Sequence, residues 1–341
     1  MVVVGGGLAG HRIAWALQGE AEVTLIDPKD YFEVPMAAPR MLVEPARSDD
    51  AILPFAEFLP RVRHVLGKAS EIRPEFVRVG EAEIPFDYLV VATGAGYADD
   101  LVKPHAGSAV ERRAHFRHWA GRIREAKEIL IVGGGPVGVE LAGEILEDLP
   151  GKKVTLMHSG PALLPLLRGK PPAYALSFLR ERGAEVRLNE QVTAARKERA
   201  EVVLWCAGYR IDTGYLRGFP GNVLDSHGQV LVDAELRMAG SRNIFVAGDI
   251  TALPEPKLGI WAGRHAAVVI ANIRCLLRGK AGLRTYRPAT GNRMMLVTLG
   301  RNHGTGHIPL GDFTNSWFAR RVKSRDMFIG RYRKAVGLAV R

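Results

Sequence analysis

Two glycine-rich turns, Gly5-Gly6-Gly7-Leu8-Ala9-Gly10 and Gly133-Gly134-Gly135-Pro136-Val137-Gly138, each follow a run of β-branched and aliphatic residues and each lead into a helical pattern. No other feature constrains the chain as much. Glycines at this spacing let a strand turn tightly into a helix, so that a pyrophosphate can lie against the unpaired N–H groups and positive end of that helix. Val2-Val3-Val4 and Ile129-Leu130-Ile131-Val132 read as the short buried parallel strands that come before. A single such turn is weak evidence, because an ordinary strand-to-helix connection can match it; two in the same context predict two bound dinucleotides.

In the first copy the helix runs through Ile13-Ala14-Trp15-Ala16-Leu17, and a second strand, Val23-Thr24-Leu25-Ile26, ends in Asp27. An acid at this place accepts hydrogen bonds from both hydroxyls of an adenosine ribose. Gly5, Gly7, Gly10 and Asp27 are therefore the expected contacts of the first nucleotide. The second copy repeats the plan through Val137 to Ile145 and the strand Val154-Thr155-Leu156-Met157, but His158 stands where the acid would be. With no carboxylate to repel a 2′-phosphate, NADPH is expected to be tolerated beside NADH, on Gly133, Gly135, Gly138 and His158.

Three further strands end in small-residue turns. Tyr88 to Val91 leads into Ala92-Thr93-Gly94, and Val202 to Trp205 leads into Cys206-Ala207-Gly208. Thr93, Gly94 and Gly208 are expected to mark the passages of the chain between its nucleotide-binding units. Asn243 to Val246 closes on Ala247-Gly248-Asp249, where Gly248 and Asp249 can hold a ribityl hydroxyl beside a flavin pyrophosphate. The helix expected from Gly259 to Leu277 points its N-terminus at the isoalloxazine, favouring the negative charge of a reduced flavin.

A length of 341 residues suits two or three units of ordinary domain size. Cys206 and Cys275 provide no disulfide framework, so a reducing compartment, the cytoplasm, is expected. The sequence shows no apolar stretch of the length a membrane-spanning helix needs, and its first residues already read as strand rather than signal peptide. The net charge of +11 favours anionic partners. Arg320, Arg321, Lys323, Arg325, Arg331, Arg333, Lys334 and Arg341 crowd the end of the chain, interleaved with Trp317, Phe318, Met327, Phe328 and Tyr332. Such a segment suits peripheral attachment to an anionic membrane surface. Scattered histidines, among them His105, His115, His118 and His265, lack metal-ligand spacing. Gly160 to Pro165 and Gly169 to Pro172 read as loops.

This ordered set resembles the two-dinucleotide-binding flavoproteins, in which FAD fills the first site and NAD(P)H the second. Members that reduce disulfides carry a redox cysteine pair in the first domain. Here no cysteine precedes Cys206. Leu299-Gly300-Arg301-Asn302-His303-Gly304-Thr305-Gly306, Val322 to Phe328, and Val154 to Ser159 with its histidine are similar to segments of the ferroptosis suppressor protein family. That resemblance, which runs nearly end to end, implies noncovalent FAD passing two electrons from NADH or NADPH to a quinone of the ubiquinone or vitamin K type. It also implies that Glu140 positions the nicotinamide and that Arg40, after Tyr31 to Met36, lies along the FAD. Lys257, just before the flavin-facing helix, is placed to polarise the flavin or quinone edge. Two departures stand out: no glycine follows Met1, so the myristoylation signal of the animal protein is missing, and the segment between Gln191 and Val203 is shorter than the family pattern.

The expected fold is α/β, with two Rossmann-like domains and a small C-terminal α+β cap. Residues 1–110 and 209–282 form the FAD domain, 111–208 the NAD(P)H domain and 283–341 the cap. An electron carrier protein is an alternative acceptor. A redox-sensing protein that engages nucleic acid is the weaker reading, for want of a groove-reading helix or a stacking platform.

Overall fold

The computed structural model describes residues 1–97, 101, 107–192, 200–291, 294–314 and 316–340. Its first strands are Val2–Val4 (β1), Val23–Asp27 (β2), Val62–Leu66 (β3) and Leu89–Val91 (β4), with the helix Gly10–Leu17 (α1) between β1 and β2 and the short helix Ala38–Met41 (α2) between β2 and β3. A long helix, Ala109–Glu125 (α3), then leads into a second set: Glu128–Val132 (β5), the helix Pro136–Asp148 (α4), Lys153–His158 (β6), the helix Lys170–Glu181 (α5), Glu185–Leu188 (β7) and Val202–Trp205 (β8). The chain returns with Ile244–Val246 (β9) and the helix Gly259–Leu277 (α6).

The strands form two parallel sheets, ordered β9-β4-β1-β2-β3 and β7-β6-β5-β8. Burial on both faces is what makes β1 uniformly apolar. Val3 joins the core that contains Ile13, Ala14 and Leu17 of α1, while Val2 and Val4 face the opposite way and join Ile72, Val77 and Ile84. Those last residues belong to an antiparallel meander, Glu71–Ile72, Phe76–Val79 and Ala82–Pro85, which fills the connection between β3 and β4. The passage into the second sheet and the passage out of it run side by side, Gly96–Tyr97 pairing antiparallel with Tyr209–Arg210.

The cap is a three-stranded antiparallel sheet of Met295–Leu299 (β10), His303–Ile308 (β11) and Gly311–Phe313 (β12). Ser316–Ala319, a π-helical turn Arg320–Ser324 and the helix Ile329–Ala335 (α7) follow. Strand β10 lies against α4 at Gly143, where a Cβ would press into the backbone of Leu299 and Gly300.

Three expectations are corrected. Gly169 to Pro172 is not all loop: α5 starts at Lys170, with proline in its first turn, where the missing N–H costs nothing and the fixed φ suits a helix. Among the described residues one helix, α6, is long and apolar enough to cross a membrane by length and composition. In the fold it packs on α1 and holds His265 and Asn272 hydrogen-bonded inside. The terminal basic cluster is not a uniform surface either. Arg320, Arg321, Arg325, Arg331 and Lys334 are exposed, but Lys323 and Arg333 are buried, and Met327 and Tyr332 pack inward. Arg333 is spent on the carbonyls of Ala339 and Asp50 at 2.6 and 3.2 Å. His105, Arg341 and most of the segment after Gln191 lie outside the described residues.

Candidate functional site

At the first turn the backbone is fixed from both sides: Gly5 N–H donates to the Ile26 carbonyl at 2.8 Å and Ala92 N–H to the Val4 carbonyl at 2.8 Å. Gly5 has φ +97°, and a Cβ there would strike the Ala92 backbone. A Cβ on Gly10 would collide with the Gly5 carbonyl oxygen, yet one on Gly7 would meet nothing within 4 Å. The chain itself thus requires the outer glycines, whereas the middle one faces open space of the kind a pyrophosphate occupies. Asp27, buried at the end of β2, accepts from Gly6 N–H at 2.5 Å and pairs with Lys29 at 3.0 Å. His11 follows the turn. Its Nδ1 lies 2.7 Å from the Gly7 carbonyl, its ring stacks on Phe32, and burial pushes its pKa down to about 4.

The second turn repeats the two flanking backbone bonds. Gly133 N–H donates to the Met157 carbonyl and Cys206 N–H to the Val132 carbonyl, both at 2.8 Å. Gly133 (φ +118°) and Gly138 are hemmed in by backbone, and Gly135 again meets nothing. His158 therefore occupies the place that Asp27 holds in the first copy. Burial lowers its pKa, and its Nε2 is buried without a hydrogen-bond partner. Both cradles fit a dinucleotide, and the orphaned imidazole nitrogen fits the polar edge of a ribose.

The remaining expected contacts fall around these cradles. Thr93 and Gly94 (φ +65°) follow β4 beside Gly5, with Thr93 Oγ1 2.8 Å from the Tyr215 hydroxyl. Gly208 (φ +73°) follows β8 and is exposed. Gly248 (φ +86°) sits close to Ala9 of the first turn, and Asp249 is half-buried next to it. Lys257 donates to the Thr251 carbonyl at 2.5 Å; burial lowers its pKa, against the pull of Asp249 and Glu255.

Arg40 and Glu140 form a second locus, joined by residues that the sequence reading missed. Helix α4 presents Glu140, Glu144 and Asp148 four residues apart, hence on one face. Each meets a cation from another part of the chain. Glu140 is buried, pairs with Lys323 of the π-helical turn, and accepts from Thr298 N–H at 3.0 Å. Glu144 takes two hydrogen bonds from Arg40 of α2, the second at 2.9 Å, and burial pushes its pKa up to about 7 against the pull of that guanidinium. Asp148 is gripped by Arg301 at 2.8 and 2.6 Å, and Arg301 also reaches Glu44 at 2.8 Å. The i, i+4, i+8 carboxylates were the available signal, but their partners lie far away in sequence. Met327 (φ 52°) and Phe328 (φ 65°), just past the turn that bears Lys323, are both left-handed, which for large side chains marks a conformation held by its surroundings.

The sequence profile of the pyridine nucleotide-disulphide oxidoreductase family matches residues 1–269. Human ferroptosis suppressor protein 1 is 31% identical over 359 residues, covering 96% of this chain and 93% of its own length. Among solved structures, the sulfide:quinone oxidoreductase of Aquifex aeolicus superposes with a TM-score of 0.76 at 20% identity, covering 98% of this chain and 90% of that one. NDH2 of Plasmodium falciparum, solved in complex with NADH, also gives 0.76, at 12% identity and coverage of 97% and 96%.

Proposed function

The chain belongs to the pyridine nucleotide-disulphide oxidoreductase family and is an NAD(P)H-dependent flavoprotein oxidoreductase using FAD, and on that premise we propose that its electron acceptor is a quinone of the ubiquinone or vitamin K type. The pair of cradles whose middle glycines, Gly7 and Gly135, face open space carries the two-nucleotide part of this reading, and the likeness to ferroptosis suppressor protein 1 and to a sulfide:quinone oxidoreductase supports the acceptor. The overall conversion balances as NAD(P)H, a proton and quinone giving NAD(P)⁺ and quinol. Bound FAD supplies the two-electron chemistry between donor and acceptor. The chain has to orient the partners and keep water from the reacting edge.

In this reading the first cradle, with Asp27, Thr93, Gly94, Gly248 and Asp249, holds FAD, and the second, with His158 and Gly208, holds NADH or NADPH. Glu140 orients the nicotinamide, kept in place by Lys323 and the Thr298 N–H. Lys257, its proton held less tightly than in water, polarises the edge where the quinone is reduced. Residues 1–110 with 209–282, 111–208 and 283–341 are the corresponding units. A relative in fold is named for a quinone reaction, which supports the choice of acceptor.

The exposed Arg320, Arg321, Arg325, Arg331 and Lys334, with Trp317 69% exposed beside them, suit an anionic membrane surface where a quinone dissolves. Each cation contributes about 1 kcal/mol there. A screen of acceptors under NADH and NADPH tests the proposal: rapid reduction of short-chain ubiquinone or menadione is expected, together with salt-sensitive binding to phosphatidylserine vesicles. Turnover with a ferredoxin-type carrier and none with any quinone overturns the choice of acceptor.

A further inference from the structure

Gly248, in the turn that closes β9, has both backbone groups tied. Its carbonyl accepts from Thr251 N–H at 3.2 Å and from Thr251 Oγ1 at 3.0 Å. Its N–H donates to Nδ1 of His265, on the second turn of α6, at 3.0 Å. A backbone N–H can only donate, so Nδ1 carries no proton and the ring proton of a neutral imidazole resides on Nε2. The geometry of that second nitrogen agrees: Nε2 lies 2.7 Å from a carboxylate oxygen of Glu255. The other oxygen of Glu255 accepts from the Tyr286 hydroxyl at 2.8 Å and the Ala289 N–H at 2.9 Å. The ring of His265 is 2% exposed and packs edge-on against Tyr286 at 4.5 Å, so water has no access to substitute for either bond.

The order of control runs from Ala289 and Tyr286 to Glu255, from Glu255 to the imidazole tautomer, and from the tautomer to the peptide of Gly248. With Glu255 ionised, Nε2 must donate and Nδ1 must accept. Were the tautomer reversed, two N–H groups would face each other at Gly248. That turn carries Asp249; its flanks are held by Ala247 N–H on the Val91 carbonyl at 3.0 Å and by Val230 N–H on the Ile250 carbonyl at 2.8 Å, and between them the N–H of Gly248 (φ +86°) takes its direction from His265. A buried N–H left without an acceptor costs about 1–3 kcal/mol.

We propose that His265, held in its Nε2–H tautomer by Glu255, is the positioning residue of the Gly248–Asp249 turn and so sets how tightly the chain grips FAD. The proposal rests on the cofactor assignment above and on Asp249 as its contact. It assigns no chemistry to the imidazole itself.

Asparagine carries its amide oxygen where histidine carries Nδ1, whereas leucine offers no acceptor. Deflavinated protein is titrated with FAD and followed by quenching of flavin fluorescence. His265→Asn is expected to bind within about threefold of the wild type, while His265→Leu and Glu255→Gln each weaken binding by about tenfold or more. Selective ¹⁵N-histidine labelling of the wild-type holoprotein reads the tautomer directly and depends on no variant folding; protonated Nε2 with bare Nδ1 is expected. A ring protonated on Nδ1, or a leucine variant that binds FAD as the wild type does, overturns the proposal. A wild-type protein that takes up no FAD overturns instead the cofactor assignment beneath it.

Discussion

Arg40 and Glu144 are 104 residues apart in sequence and meet as a bidentate pair that is 1% and 0% exposed, joining the short helix of the first unit to the helix of the second glycine turn. Arg40 also donates to the Ser324 carbonyl at 3.0 Å, so a single guanidinium ties both units to the C-terminal cap. With Lys323 on Glu140 and Arg301 on Asp148, α4 is clamped at three successive turns by cations from elsewhere. This clamp sets where the second cradle sits relative to the first, and hydride transfer between two bound nucleotides is sensitive to that placement.

Breaking the pair from its two sides should have unequal effects. Glu144→Leu strands a guanidinium that cannot lose its charge, whereas Arg40→Leu strands a carboxyl that can take up a proton, as the rise of its pKa to about 7 already indicates. Equilibrium urea unfolding is expected to show a loss of about 3–5 kcal/mol for Glu144→Leu and a smaller loss for Arg40→Leu. Equal losses would mean that packing, not charge, dominates the site.

The glycines of each turn separate folding from binding. Gly10→Ala and Gly138→Ala drive a Cβ into a carbonyl of the same turn, and are expected to destabilise the fold by at least about 2 kcal/mol. Gly7→Ala and Gly135→Ala should leave the unfolding midpoint nearly unchanged. Gly7→Ala is expected to yield colourless protein, whereas Gly135→Ala stays yellow with a KM for NADH raised at least about tenfold. A yellow Gly7→Ala protein would count against FAD in the first cradle.

His11 gives stability a dependence on acid. Its folded pKa of about 4 lies below the ordinary value of 6.5, so between these values the unfolded chain binds the proton more readily than the native one. The contribution is fully present above pH 6.5 and is lost as pH falls toward 4, amounting to about 3 kcal/mol. His11→Phe keeps a ring against Phe32, and its unfolding free energy is expected to stay flatter than that of the wild type over this window. Parallel pH profiles for the two proteins would exclude His11 as the source.

Both sheets were legible because their determinants are local. A strand buried on both faces, a glycine turn and an amphipathic helix fit within a few tens of residues, and the helix expected over Gly259 to Leu277 is found with those bounds. The interface among the three units was not legible. Lys323 and Arg333 look like any surface cations in a basic terminus, and only packing shows that they face inward to Glu140 and the Asp50 carbonyl. His265 likewise read as a scattered histidine, because its partners Gly248 and Glu255 are set by how α6 returns over the first turn. Charge pairing across units leaves no period in the sequence, and so a periodic reading cannot find it.

The pair of Glu140 and Lys323 carries the most direct test of the proposed catalytic locus. Glu140 has two constraints, the Lys323 ammonium and the Thr298 N–H at 3.0 Å, and Lys323 has a further one, the Leu296 carbonyl at 3.0 Å. If Glu140 orients the nicotinamide and Lys323 orients Glu140, then Glu140→Gln and Lys323→Met should each lower kcat with NADH by about 100-fold, the penalty expected of a misplaced reacting group. FAD content should not change, because neither residue belongs to the first cradle. The double variant should be hardly slower than either single one, since residues acting through one contact are not additive. Stopped-flow measurement of flavin bleaching by NADH isolates the reductive half-reaction from any quinone step. Independent, multiplicative losses in the double variant would mean that Lys323 serves a separate purpose, and unimpaired bleaching in Glu140→Gln would remove Glu140 from the nicotinamide site.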